Sequence, residues 1–158
     1  MADARMSVRA LRAEDAGWVT ALNAANVAAT APMDEAAYRN MLEQAFRATA
    51  LEGACLIAFD EGADYGSENF EWFGARYERF AYVDRVIVPE AARGKGLARA
   101  LYEDLFAASR GAGKPLVCCE INTPNPVSDV FHARMGFGEV GKATLRSGKR
   151  VRYLARTL

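Results

Sequence analysis

Basic residues and glycines alternate in a loop between a predicted strand and a predicted long helix. The segment runs from Val86 to Arg99 and reads VIVPEAARGKGLAR. The first N–H groups of a helix lack internal partners and lie at its positive end, and glycines let an anion approach that backbone closely. Arg93 and Lys95 add mobile positive charge, as does Arg99. The pattern predicts a diphosphate site, and the alternative is a solvent-exposed connection with incidental basic residues.

Two common nucleotide-binding motifs fit this loop poorly. A Walker A loop needs a hydroxyl residue for Mg²⁺ after Gly-Lys, but Gly96 follows Gly94 and Lys95. A dinucleotide fingerprint of the form G-x-G-x-x-G would place its third glycine where Arg99 stands. The strand also follows two predicted helices instead of opening a βαβ repeat. A nucleotide-binding enzyme therefore stays the weaker interpretation.

Hydrophobic periodicity predicts a mixed α/β fold, with residues 1–158 forming one domain. Helices are predicted from about residue 14, after the N-cap Asp34, from 97 to a glycine at 111 or 113, and from Asn125-Pro126 to about 135. Residues 69–77 could form a further short helix. The predicted strands are 8–11, 47–51, 54–59, 80–88, 116–121, 137–145 and 150–158.

Composition narrows the classes of function. Of 158 residues, 51% are hydrophobic and 25% charged, and 20 Lys and Arg balance 20 Asp and Glu, so no overall field favours nucleic acid or an anionic membrane. No apolar run approaches a membrane span, and residues 1–5 lead into no signal segment. Cys55, Cys118 and Cys119 lack CxxC spacing, and the single histidine cannot complete a zinc set. We expect no metal and a reducing, cytoplasmic location.

Residues 80–137 resemble the GCN5-related N-acetyltransferase (GNAT) superfamily. The pyrophosphate motif of that family, Arg/Gln-x-x-Gly-x-Gly/Ala, is matched by Arg93-Gly94-Lys95-Gly96-Leu97-Ala98. The preceding strand end, Glu120 on the next strand, Asn125 and the segment FHARMGF at 131–137 extend the match. The resemblance implies a central twisted mixed sheet flanked by about four helices.

The resemblance also implies a cosubstrate, acetyl-coenzyme A, and an amine acceptor that is a small molecule or a peptide. Backbone groups of Val86, Ile87 and Val88 would pair with the pantetheine arm, and the amides from Gly94 to Arg99 would hold the pyrophosphate. The Asn125 side chain would contact the pantetheine, or would serve only as a helix N-cap. The cosubstrate would lie between strands 80–88 and 116–121. Pairing of two copies through the last strands would give a homodimer.

Amine acetylation by direct attack requires a base for the amine and is helped by a proton donor for the leaving thiolate. Glu120 follows an apolar strand, where desolvation would raise its pKa and make it a better base; alternatively it forms only a salt bridge. His132 stands where many relatives have a tyrosine acid, and it could donate as imidazolium or simply pack in the helix. An acyl-enzyme on Cys118 or Cys119 is the less favoured route.

The acceptor site is predicted on the side of the first two helices and residues 69–77. Candidate acceptor residues are Tyr82, Asp84 and Trp72. Asp84 could bind the ammonium group, serve as the base in place of Glu120, or form an internal ion pair, and Trp72 could belong to the core. Strand alternation would place Asp84 on one face with Tyr82 and Val86. The competing function is a non-catalytic acyl-CoA-binding sensor or interaction domain, which would need neither Glu120 nor His132.

Overall fold

Seven strands form one sheet in the computed structural model, which describes residues 7–26 and 30–158. Their spatial order is β1-β2-β3-β4-β5-β7-β6, and in this part of the chain β4 and β5 are the one parallel pair. The expectation about residues 1–5 lies outside the described residues. The strands are β1 (Arg9–Ala10), β2 (Arg47–Leu51), β3 (Ala54–Asp60), β4 (Ala81–Ile87), β5 (Leu116–Asn122), β6 (Gly138–Thr144) and β7 (Arg150–Thr157).

Five helices accompany the sheet in the described residues, and the mixed α/β prediction is confirmed. The further short helix that the sequence allows at 69–77 forms at 68–74, where Ser67 caps it by accepting a hydrogen bond from the Phe70 N–H at 3.0 Å. No helix among these residues is long and apolar enough to cross a membrane. The helices are α1 (Ala16–Ala24), α2 (Glu35–Gln44), α3 (Glu68–Gly74), α4 (Leu97–Gly111) and α5 (Pro126–Arg134).

The helices divide between the two faces of the sheet, and each face has its own apolar core. Tyr38 of α2 and Phe73 of α3 pack on the face that carries Tyr82, which we call the α1–α3 face. Leu101 of α4 packs with Phe137, just beyond α5, on the opposite α4–α5 face. Because side chains alternate along a strand, each central strand contributes to both cores.

A β-bulge in β4 changes which side chains share a face. Ile57 of β3 pairs with Arg85, but the next residue, Ala58, pairs with Val83, which leaves Asp84 as the extra residue. The prediction that Asp84 shares a face with Val86 by simple alternation is therefore wrong. Val86 packs against the α4–α5 core, whereas Asp84 contacts groups of the α1–α3 face.

Candidate active site

A cleft opens where β4 and β5 separate. The two strands pair only at Ala81 with Val117 and at Tyr82 with Cys118, although both continue beyond these pairs. The resulting cavity has a volume of about 380 Å³ and reaches both faces of the sheet. Its lining comes from β4, β5, α4, α5, the β5–α5 connection and the segment that precedes α2: Thr30, Val83, Asp84, Arg85, Val86, Tyr102, Cys119, Glu120, Ile121, Asn122, Pro124, Asn125, Ser128 and His132.

The glycine loop lies between β4 and the N-terminus of α4. Gly94 and Gly96 both have φ of +82°, and no heavy atom lies within 4 Å of the position where either would carry a Cβ. Gly96 is also the N-cap of α4, so the first amides of the helix point into this open space. The residues present therefore fit a diphosphate, because only glycine adopts this backbone readily and leaves room for the ligand.

The charged residues around this loop face solvent, and the apolar ones are at least partly buried. The side chains of Arg93, Lys95 and Arg99 are exposed, and Leu97 is buried beneath the first turn of α4. Ala98, the last motif residue, is half-buried in the same turn.

The end of β4 leads from the cleft to this loop. Val86 lines the cleft, the buried Ile87 is the last residue of the strand, and Val88 follows it. Since β5 stops pairing with β4 at Tyr82, the backbone of this segment on the β5 side borders the cleft and could pair with an extended ligand.

Asn125 performs the cap function and also lines the cleft. Its side-chain oxygen accepts a hydrogen bond from the Ser128 N–H at 3.2 Å at the start of α5. The oxygen is thus used within the helix, and the side-chain NH₂ is the part that could contact a ligand.

Glu120 lies on the cleft wall, on the α1–α3 face of β5. Its Oε1 accepts a hydrogen bond from the Tyr82 hydroxyl at 2.7 Å. Burial raises the pKa of Glu120 to about 7, and the negative charge of Asp84 adds to this, while hydrogen bonds from Tyr82 and Asn69 act in the opposite direction. A carboxyl with a pKa near neutrality is half ionised at pH 7 and can accept a proton from an ammonium group.

Asp84 forms the ion pair that the sequence left open. It accepts hydrogen bonds from Tyr65 and from Arg85, whose Nε lies 2.7 Å away. The Arg85 guanidinium also donates to the Asn23 side chain and to the Ala31 carbonyl. This network connects β4 to α1 and to the segment preceding α2, and it fixes a negative charge close to Glu120.

His132 and Tyr102 form a hydrogen-bonded pair on the opposite, α4–α5 side of the cleft. The Nδ1 atom of His132 lies 2.9 Å from the Ser128 carbonyl, which can only accept, so Nδ1 carries the proton of the neutral ring. Nε2 then accepts from the Tyr102 hydroxyl at 2.8 Å. Burial lowers the pKa of His132 and raises that of Tyr102. This arrangement does not support donation of a proton by an imidazolium at neutral pH.

Trp72 lies apart from the other predicted site residues. Its ring stacks on Tyr153 with a centroid separation of 4.1 Å, Arg76 covers it at 3.8 Å, and a Cβ at Gly141 would come within 2.4 Å of it. The structure thus brings together Tyr82, Asp84 and Glu120 at the cleft and places Trp72 between α3 and the last two strands.

The adjacent cysteines do not have the properties of nucleophiles. Cys118 and Cys119 are buried free thiols, and burial raises the pKa of each. Because the thiolate is the reactive form, the acyl-enzyme route is disfavoured.

Sequence reasoning missed three residues that organise the cleft. Asn69 contacts Glu120 and accepts from the Tyr153 hydroxyl at 2.9 Å, and Tyr65 donates to Asp84. Tyr102 follows Leu101 in the amphipathic helix α4, where its residue type alone gives no signal of a place in the cleft. These contacts join positions far apart in the chain, and no local pattern signals them.

A parallel strand pair that separates beside a glycine-rich loop, with a carboxyl of raised pKa at the point of separation, is consistent with the resemblance to the GNAT superfamily. Residues 18–137 match the model of the Acetyltransferase (GNAT) family. The chain therefore belongs to this family and is an N-acetyltransferase enzyme. No curated protein matches the sequence.

Solved structures with the same fold include several acetyltransferases. Salmonella typhimurium yncA, a putative acetyltransferase with its cofactor acetyl-CoA, aligns with a TM-score of 0.69 and 21% identity over 98% of this chain and 95% of its own. Chaetomium thermophilum Naa20 in complex with a bisubstrate analogue aligns with a TM-score of 0.76 and 17% identity, over 96% of this chain and 86% of its own. A chain of the NatC complex bound to Gag peptide and CoA aligns with a TM-score of 0.75 and 15% identity, over 97% of this chain and 98% of its own.

Proposed function

We propose that this enzyme moves the acetyl group of acetyl-CoA directly to a primary amine while both substrates occupy the cleft. The observation that carries the proposal is Glu120, a carboxyl with a pKa of about 7 at the point where β4 and β5 separate. A neighbour of the same fold bound to a bisubstrate analogue supports a ternary complex. The proposal treats residues 1–158 as one domain, because one continuous sheet spans the described chain.

The cosubstrate would lie along the α4–α5 side of the cleft. Gly94 and Gly96 would admit the pyrophosphate to the amides at the start of α4, and Arg93, Lys95 and Arg99 would neutralise its charge. The backbone of Val86 to Val88 would pair with the pantetheine arm, and the Asn125 amide would donate to it. Bound acetyl-CoA would supply the thioester carbonyl that the amine attacks.

The amine would approach from the α1–α3 side, where Tyr82 and Asp84 form the wall. Glu120 accepts one proton from the ammonium group, which frees the nitrogen lone pair for attack. The nitrogen loses its second proton as the amide forms, and the departing sulfur takes up that proton. Atoms and charge then balance without a dedicated side-chain acid. His132 is accordingly a positioning residue that holds Tyr102 against the sulfur side of the cleft.

The acceptor is proposed to be a primary amine on a small molecule or at a peptide N-terminus. The NatC neighbour is bound to a peptide, which favours the peptide. The cytoplasmic location and a homodimer stay predictions from the sequence. So does the independence from metal.

The decisive experiment measures thiol release from acetyl-CoA with a panel of peptides and small amines, with acetylated products identified by mass spectrometry. We expect release that depends on both the amine and Glu120. Tight coenzyme binding with no release for any amine would instead indicate a sensor. Nucleotide affinity equal to that for coenzyme A would contradict the assignment of the loop.

A further inference from the structure

Arg85 is the one arginine or lysine among the described residues that line the cleft. Its side chain is only 4% exposed, and that of Asp84 beside it is 7% exposed. A buried donor that lacks an acceptor costs stability, so the N–H groups of a guanidinium in such a place need hydrogen-bond partners. The way in which these groups are used therefore indicates what else can bind there.

Three of the five N–H groups of Arg85 are used within the protein. Nε donates to Asp84 at 2.7 Å, and Nη1 donates to the Asn23 side chain at 2.7 Å and to the Ala31 carbonyl at 3.1 Å. The other carboxylate oxygen of Asp84 accepts from the Tyr65 hydroxyl. These contacts fix the guanidinium in position, and the two remaining N–H groups are both on Nη2.

Nη2 of Arg85 has no hydrogen-bond partner among the described residues, and yet solvent can reach it. In that part of the chain, the inaccessible side-chain polar atoms that lack a partner are the hydroxyls of Thr49 and Ser109, and Nη2 is not one of them. The cleft extends to this end of the side chain, because Thr30, next to the Ala31 carbonyl that Nη1 contacts, also lines it. Two fixed cationic donors are therefore available to a ligand in the cleft.

Arg85 lies opposite Glu120 across the cleft. The last pair of the two strands is Tyr82 with Cys118. Glu120 lies two residues beyond that pair in β5, and Arg85 lies three residues beyond it in β4, where Asp84 is the extra residue of the bulge. Both side chains are on the α1–α3 face, since Glu120 contacts Tyr82 and Arg85 contacts α1. A carboxyl and a guanidinium thus border the same part of the acceptor side.

We infer that the acceptor is a free amino acid, whose carboxylate binds Nη2 of Arg85 while its amine lies at Glu120. The ammonium and carboxylate groups of one small molecule match the two facing side chains, and hydrogen bonds between ionised groups are roughly twice as strong as those between neutral ones. A peptide N-terminus would offer Nη2 only a neutral carbonyl. The inference rests on the proposed function, of which it selects the small-molecule acceptor, although the NatC neighbour is bound to a peptide.

The first test compares a panel of free amino acids with the matching amino-acid amides, which keep the amine and the side chain but lack the carboxylate. Thiol release from acetyl-CoA gives kcat/KM, taken at its pH-independent limit so that differences in the pKa of the amine do not contribute. We expect the best amino acid to exceed its amide by about 30-fold or more. An amide used as well as its amino acid, or a peptide with the same first residue used better, would overturn the inference and leave the transferase intact.

Arg85→Lys tests the residue itself, because an ammonium group keeps the charge but cannot reach Asp84, Asn23 and a ligand together. The preference for the amino acid over its amide should disappear. A purely structural role would lower kcat/KM for both substrates alike, and an unchanged ratio would overturn the inference. Arg47→Lys is the matched control: it alters the ion pair with Asp104, outside the cleft lining, and should keep the ratio.

The second test measures binding without turnover. Calorimetry on the enzyme saturated with coenzyme A compares N-acetyl amino acids with the matching N-acetyl amides. We expect the best N-acetyl amino acid to bind at least about tenfold more tightly than its amide to the wild type, and both to bind alike to Arg85→Lys. Equal affinities in the wild type would overturn the inference. No acetylation of any amine would refute the proposed function, while this comparison would still decide whether Arg85 binds a carboxylate.

Discussion

The two walls of the cleft differ in the proton chemistry that they can perform. On the α1–α3 wall, Glu120 and Asp84 are two carboxyls held close together, and the pKa of Glu120 is raised to about 7. On the α4–α5 wall, His132 and Tyr102 are neutral and donate or accept hydrogen bonds only within the protein. The strand β5 and the bulge in β4 place the two carboxyls on one face, whereas helices α4 and α5 supply Tyr102 and His132 on the other. In the proposed reaction the amine therefore meets a base on one side and the sulfur meets a neutral surface on the other.

The largest expected effect lies on the cosubstrate side, at the loop. Gly96→Glu should weaken acetyl-CoA binding about 100-fold or more, because a side chain is disfavoured at φ of +82° and its carboxylate would meet the pyrophosphate. Calorimetry measures this. Gly148→Glu is the matched control: that glycine has φ of +92° in the β6–β7 turn, and the variant should bind normally. Unchanged affinity of the Gly96 variant would remove the loop from the site.

The base on the acceptor wall should give the next largest effect. Glu120→Gln should lower kcat about 100-fold, because an amide cannot accept the ammonium proton, with little change in acetyl-CoA affinity. Steady-state thiol release with a good amine measures this, and Glu103→Gln, at an exposed carboxylate of α4, should be silent. A variant with full turnover would show that another group, with Asp84 as the nearest choice, is the base.

The neighbours of Glu120 should shift the pH dependence in opposite directions. Asp84→Asn removes a negative charge that raises the pKa of Glu120. The acidic limb of the profile of kcat/KM against pH should therefore move to lower pH, by about 0.5 pH unit or more. Tyr82→Phe removes a hydrogen bond that lowers the pKa of Glu120, so the acidic limb should move to higher pH. Profiles of kcat/KM against pH measure both. Shifts of the same sign in the two variants would contradict this account of the site.

The smallest effect is expected on the neutral wall. His132→Gln should lower kcat less than about tenfold and leave the alkaline limb in place, since the ring orients Tyr102 and donates no proton to the sulfur. Tyr102→Phe should behave alike, and the double variant should lose no more than either single one. If His132→Gln instead lowers kcat about 100-fold and removes the alkaline limb of the pH profile, His132 is a catalytic acid after all.

Local sequence patterns were sufficient to predict the helices, the strands and the glycine loop. The bulge in β4 and the hydrogen-bond partners in the cleft depend on long-range contacts. Asp34 and Asn125 cap their helices with side-chain oxygens, and Gly96 begins α4 with a φ of +82°, so periodicity and capping were sufficient there. The bulge at Asp84 depends on its register with β3 and cannot be seen in a single strand. The Tyr102–His132 pair joins residues 30 positions apart, and only the fold shows that the histidine ring is already hydrogen-bonded within the protein.

The pH profile of kcat/KM for wild type and Glu120→Gln is the most direct test of Glu120 as the base. Glu120 must be ionised to accept a proton, so wild-type activity should rise with pH through an inflection near 7. That inflection should be absent from the residual activity of Glu120→Gln. An inflection near 7 that persists in the variant would show that a different group takes the proton from the amine.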